Sequence, residues 1–98
     1  MNQVTRVVHC KREPYDVYIG RGSKWGNPFV IGKDGDRAEV IEQYKRWLLG
    51  IITIPDRVRP TTKEADQELL GKVLGCHCSP EACHGDVLVA FVAHNISF

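Results

Sequence analysis

No stretch of the chain approaches the roughly 20 consecutive apolar residues that a bilayer-spanning helix needs. Its opening, Met1-Asn2-Gln3-Val4-Thr5-Arg6, lacks the apolar core of an export signal. From these absences a location in the cytoplasm, with no membrane partner, is expected. Charge of one sign is missing too. Thirteen Lys plus Arg stand against twelve Asp plus Glu, a formal +1 with no block of like charges, so bulk composition does not indicate a nucleic-acid-binding surface. A local patch from Arg6, Lys11, Arg12, Arg21 and Lys24 leaves nucleic acid as a less favoured partner. There is no repeat, linker or low-complexity segment. Ninety-eight residues make one domain, 1–98, which buries about two thirds of its unfolded surface and has room for one modest core and one pocket. With no export signal, the four cysteines are expected as reduced thiols, available for metal or for chemistry.

What is present divides cleanly. Val4 to Cys10 is a weak first strand, broken by Lys11-Arg12-Glu13-Pro14, and Asp16 to Gly20 is a better one, β-branched and aromatic. Asp36 with Glu39 forms a capping box for a helix whose apolar stripe runs through Ala38, Val40, Ile41, Tyr44, Trp47 and Leu48 and which stops at Gly50. Ile51 to Pro60 reads as irregular, although Ile51-Ile52-x-Ile54 also suits a shared edge in a homo-oligomer. A second capping box, Thr61 with Glu64, opens a short helix through Leu70, before Gly71. A strand over Val73 to Cys78, a Cys/His loop and a final helix from near Asp86 complete the order. The expected fold is a small α/β single domain, with a short sheet of about three to four strands, two main helices and one short helix.

Three cysteines and two histidines crowd into Gly75 to Asp86. A loop feeding a helix start presents unpaired N–H groups to phosphate or carboxylate. A thiol at Cys83 would be acidified there by the helix dipole, making it a nucleophile, with His84 as acid or base. Asp86 either orients His84 or caps the helix. Cys76, Cys78, Cys83 and His84 are enough ligands for a zinc ion. Yet the single residue between Cys76 and Cys78 departs from the usual knuckle spacing, and adjacent Cys83 and His84 strain to share one ion. The expectation is therefore no metal and no cofactor, with zinc in an interaction domain as the alternative. Cys76 and Cys78 also suit the plain role of apolar filler on a strand.

The second constellation is Gly20 to Phe29. Arg21 and Lys24 supply cations, Ser23 and Asn27 supply hydrogen-bonding groups, Gly20 and Gly26 allow close backbone approach, and Trp25 offers a face for a base. The competing reading has Trp25 and Phe29 plugging one end of the core.

Together, Tyr18-Ile19-Gly20-Arg21 with Ser23-Lys24-Trp25-Gly26-Asn27-Pro28-Phe29, Tyr44-Lys45-Arg46-Trp47-Leu48, and Cys76-x-Cys78 with Cys83-His84-Gly85-Asp86-Val87-Leu88 resemble the small phage and bacterial family DUF4326 over nearly the whole chain. The resemblance implies a phage or prophage origin and two loops facing one pocket. It supplies no activity. Where other members show Pro, Trp and Ala, this chain has Gly22, His77 and Gly85, and the second change removes an aromatic wall. The expected function is binding of a small phosphorylated or nucleotide-like molecule between the two loops. Gly20, Arg21, Ser23, Lys24, Trp25, Gly26, Asn27, Cys76, Cys78 and Gly85 would form the site, and any transferase or hydrolase chemistry would use Cys83, His84 and Asp86.

Overall fold

The computed structural model describes residues 4–77 and 83–93. Its elements are β1 (Arg6–His9), β2 (Val17–Tyr18), α1 (Arg37–Leu48), α2 (Thr62–Glu68), β3 (Val73–Cys76) and α3 (His84–Val92). This is the expected small α/β domain, with three helices and a three-stranded sheet among the described residues. Cys78, placed at the end of a strand by the sequence, lies outside the described residues.

Both capping boxes form as the sequence predicts. The Asp36 carboxylate accepts from the Glu39 amide and the Thr61 hydroxyl from the Glu64 amide, while each glutamate reaches back to its cap's N–H. Gly50 and Gly71, just past the ends of α1 and α2, have φ of +78° and +74°, the left-handed conformation that ends a helix at little cost only for glycine. The final helix starts two residues earlier than expected, at His84 rather than Asp86. Cys83 is its N-cap, and Asp86 at the third helical position accepts the Cys83 N–H through its carboxylate. The sequence hides this start because cysteine is not among the usual caps.

All pairings in the sheet are parallel, in the order β1-β3-β2, so the last of these strands in the chain is the central one. Cross-strand bonds run beyond the strand limits at both edges, from Cys10 N–H to the Cys76 carbonyl and from Ile19 N–H to the Gly75 carbonyl. Two close approaches fix the layers. A Cβ on Gly75 would fall 2.6 Å from the Tyr15 ring, and one on Gly85 would fall 2.9 Å from both Ile19 and Val7. Tyr15, from the link between β1 and β2, therefore lies over the middle of β3, and the first turn of α3 lies directly on β1 and the end of β2. Helix α3 also packs on α1 and α2. The core they enclose includes Ile19, Leu74, Tyr44, Trp47, Leu48, Leu69, Leu88 and Trp25. Each fully buried aliphatic side chain there contributes about 1.5–3 kcal/mol.

The glycine-rich loop is sewn to this core through its backbone. The Tyr44 hydroxyl donates to the Trp25 carbonyl at 2.6 Å, and burial pushes the phenol far above its ordinary pKa, so it stays a donor at any physiological pH. Arg57 donates to the Gly26 carbonyl at 2.9 Å. Tyr44→Phe leaves a buried carbonyl unpaired and is expected to cost about 1–3 kcal/mol in urea denaturation. Gly26→Ala puts a Cβ 2.7 Å from the Gly20 carbonyl oxygen. Backbone cannot give way as a side chain would, so a loss of about 1–3 kcal/mol is expected in the same assay.

Candidate functional site

The carboxyl ends of parallel strands are where α/β folds expose unpaired backbone and open a crevice. Here the end of β2, the end of β3 and the start of α3 meet a cavity of about 290 Å³. Tyr18, Gly20 and Arg21 come from β2 and the turn after it, Asn27 and Phe29 from the far arm of the glycine-rich loop, and Cys76 and His77 from the end of β3. Cys83 and His84 come from the cap and first position of α3. Ile31 and one face of the first turns of α1, Arg37, Val40 and Ile41, close the remaining wall. The two segments singled out in the sequence thus share one cavity, although about 50 residues separate them, because parallel pairing puts both strand ends on the same edge.

Six of the expected residues line the cavity: Gly20, Arg21, Asn27, Cys76, Cys83 and His84. Ser23, Lys24, Trp25, Gly26, Gly85 and Asp86 do not. Trp25 is 2% exposed, so it is a core side chain and not a stacking platform. The apolar cost of leaving an indole in water outweighs its use as a loop aromatic. Lys24 is bound to Glu64 and Glu68 of α2, which hold its ammonium pKa up; it clamps the loop to α2. The Ser23 hydroxyl closes the turn by donating to the Gly20 carbonyl at 2.6 Å. Asn27 is engaged by backbone, with its amide donating to the Val40 carbonyl and its carbonyl accepting from Phe29 N–H. Gly85 serves close packing, and Asp86 caps α3 instead of orienting His84.

The expected site residues leave out Tyr18, His77 and Arg37, which line the cavity. Arg37 carries a signal legible in the sequence: a cation in the first turn of a helix sits at the positive end of the dipole, where acids are favoured. Tyr18 stands in the family string and His77 in the Cys/His cluster, but only the topology puts both on one edge. They pack edge to face, with ring centroids 5.9 Å apart. Arg21 reaches the Asn27 carbonyl at 3.3 Å. The described lining residues include two arginines, Arg21 and Arg37, and neither Asp nor Glu.

Cys83 differs from the sequence expectation, whereas Cys76 is buried on its strand as one of the two readings had it. Cys76 and Cys83 are both buried, and their sulfurs lie 3.3 Å apart. Hydrogen bonding to the Cys76 sulfur, followed by burial, drives the Cys83 pKa far above the ordinary thiol range. The Gly85 N–H bonded to its sulfur opposes this and loses. Cys83 is therefore a protonated thiol, not one acidified by the helix end. Among the described residues no group of three His, Cys, Asp or Glu side chains could hold a metal ion, and none of the described helices is long and apolar enough to cross a membrane.

His84 donates through Nε2–H to the Ile19 carbonyl at 2.6 Å and meets the Tyr44 ring edge-on, which fixes the tautomer and leaves Nδ1 as the acceptor nitrogen when the ring is neutral. Burial first, and Arg21 nearby, hold its pKa below the ordinary value. A histidine depressed in the folded state stabilises the fold above its unfolded pKa of about 6.5, and that contribution is lost as pH falls toward the folded value. Urea midpoints are therefore expected to fall between pH 7.5 and about 5, and His84→Gln should flatten that fall. A His84→Gln profile as steep as that of the parent would contradict the assignment.

Residues 3–94 match the family model described as domain of unknown function, DUF4326. The chain is also 37% identical over 93 residues to a protein of Enterobacteria phage T4 described as "Uncharacterized 12.4 kDa protein in nrdA-td intergenic region", covering 94% of this chain and 81% of that one. No solved structure matches. A family model spanning nearly the whole sequence and a phage relative at this identity establish that the chain belongs to the DUF4326 family.

Proposed function

We propose that this phage-associated domain binds a small phosphorylated, nucleotide-like molecule in the cavity at the carboxyl edge of its sheet. The observation that carries the reading is the guanidinium of Arg21, presented on that wall by the turn after β2; Arg37 from the first turn of α1, which already has a partner, lines the same wall. Guanidinium groups match phosphate oxygens two at a time, and a partly enclosed site strengthens each charged hydrogen bond. The positive end of α3 adds to the same field. Its first-turn amides already engage the Cys83 sulfur and Asp86 caps the Cys83 N–H, so the arginines are the principal anion ligands. Tyr18, Phe29 and His77 provide flat surfaces for a base, in place of Trp25. A volume of about 290 Å³ lies at the small end of ligand pockets, which suits a mononucleotide better than a dinucleotide.

The site reads first as a binding module. A buried, protonated Cys83 is a poor nucleophile, while His84 retains Nδ1 to accept a proton or a ligand hydroxyl. We assign the domain to the host cytoplasm, where a phage protein with free thiols would meet such ligands.

Calorimetric titration with AMP, adenosine and inorganic phosphate tests the reading. AMP should bind more tightly than either fragment. Arg21→Ala and Arg37→Ala should each weaken AMP binding by roughly tenfold to a hundredfold, as expected for a lost charged hydrogen bond, and Cys83→Ser should leave it within about threefold. Absence of AMP binding at millimolar concentration, or affinity indifferent to both arginines, would refute the assignment. Binding of single-stranded oligonucleotides in preference to AMP, with a steep salt dependence, would redirect it to nucleic acid.

A further inference from the structure

We propose that Cys76 and Cys83 form a redox-active pair whose thiols join in a reversible disulfide between the end of β3 and the N-cap of α3. Three observations meet there. The two sulfurs are already 3.3 Å apart, so bonding needs them to close by only about 1.3 Å to the disulfide length. Both residues are anchored, Cys76 at the end of the central strand, where it pairs with His9 of β1 and its carbonyl accepts the Cys10 N–H, and Cys83 in a capping box, so the fold holds the thiols together before any oxidant arrives. Both also line the cavity, which gives a small oxidant a path to side chains that are otherwise 1% and 3% exposed. Neither thiol is consumed by the ligand-binding reading, and the pair does not depend on it.

The oxidant required is a small peroxide such as hydrogen peroxide, which the cavity admits. The minor deprotonated fraction of one thiol attacks a peroxide oxygen; the O–O bond breaks, a sulfenic acid forms and hydroxide leaves. The second thiol then attacks the sulfenic sulfur, forming the Cys76–Cys83 bond and releasing water. The two protons lost by the protein end on the two water molecules formed, and the two electrons reduce the peroxide. The bond removes both S–H groups from the cavity wall and ties the start of α3 covalently to the sheet. Transient disulfides of this kind are the ones expected in a reducing compartment.

The test uses the chain carrying Cys10→Ser and Cys78→Ser, which retains only the two cysteines in question. It is equilibrated in glutathione redox buffers, once folded and once in urea, and alkylated. Cleavage after Glu81 then separates the two cysteines unless they are bridged. Preorganised thiols raise the effective concentration of one for the other. The folded chain should therefore be half oxidised in buffers at least about tenfold more reducing than the urea-unfolded chain requires. The proposal is overturned if the folded chain remains a dithiol where the unfolded one is oxidised, or if either cysteine ends as a stable glutathione adduct. Should the double serine variant fail to unfold cooperatively, the same comparison on Cys10→Ser with Cys78→Ala decides between these outcomes.

Discussion

Insertion of β3 between β1 and β2 is the constraint on which the rest of the molecule depends. Its backbone is bonded on both sides by parallel partners, and parallel neighbours cannot be joined by a tight turn. The chain must therefore use α1 and α2 to travel from β2 to β3. Parallel direction also sends both strand ends to one edge, where the turn after β2 and the helix after β3 begin. Gly75 lets Tyr15 lie against the centre of this strand, and Gly85 lets α3 settle on β1 and β2. A bulkier residue at either place would force the layers apart and open the edge on which the cavity sits.

That edge divides the glycine-rich loop into two jobs. Ser23, Lys24, Trp25 and Gly26 hold the loop down through a turn bond, two ion pairs to α2, a buried indole and a backbone contact too tight for a side chain. Gly20, Arg21, Asn27 and Phe29 face the cavity. The aromatic residue that looks most like a ligand platform is therefore the anchor, and the arginine near it is the group presented.

A similar division holds at the start of α3. A cysteine cap leaves a polarisable sulfur, rather than a carboxylate, on the buried wall of the cavity. Asp86, in the first turn of the helix, is exposed, and its carboxylate accepts the Cys83 N–H at the helix end. His84 beside it is held neutral by burial and fixed in one tautomer by the Ile19 carbonyl. Arg21 and Arg37 then remain the charged groups among the described residues that line the cavity.

Local chemistry alone determined much of this protein. The two conventional capping boxes, the apolar stripe of α1, the glycine stops after α1 and α2 and the alternation of strands with helices all rest on interactions between residues a few positions apart, so they could be read from the order of residues. The start of α3 could not, because a thiol cap competes with a better-known cap at Asp86. Nor could the fates of Trp25 and Lys24, which turn on packing partners in α1 and α2 far along the chain. Only the tertiary structure decided that β3 is central, that Arg37 and Tyr18 join the site, and that the sulfurs of Cys76 and Cys83 touch. Each of these is a meeting of segments distant in sequence, and it is burial and parallel pairing across the whole domain, not local propensity, that brings them together.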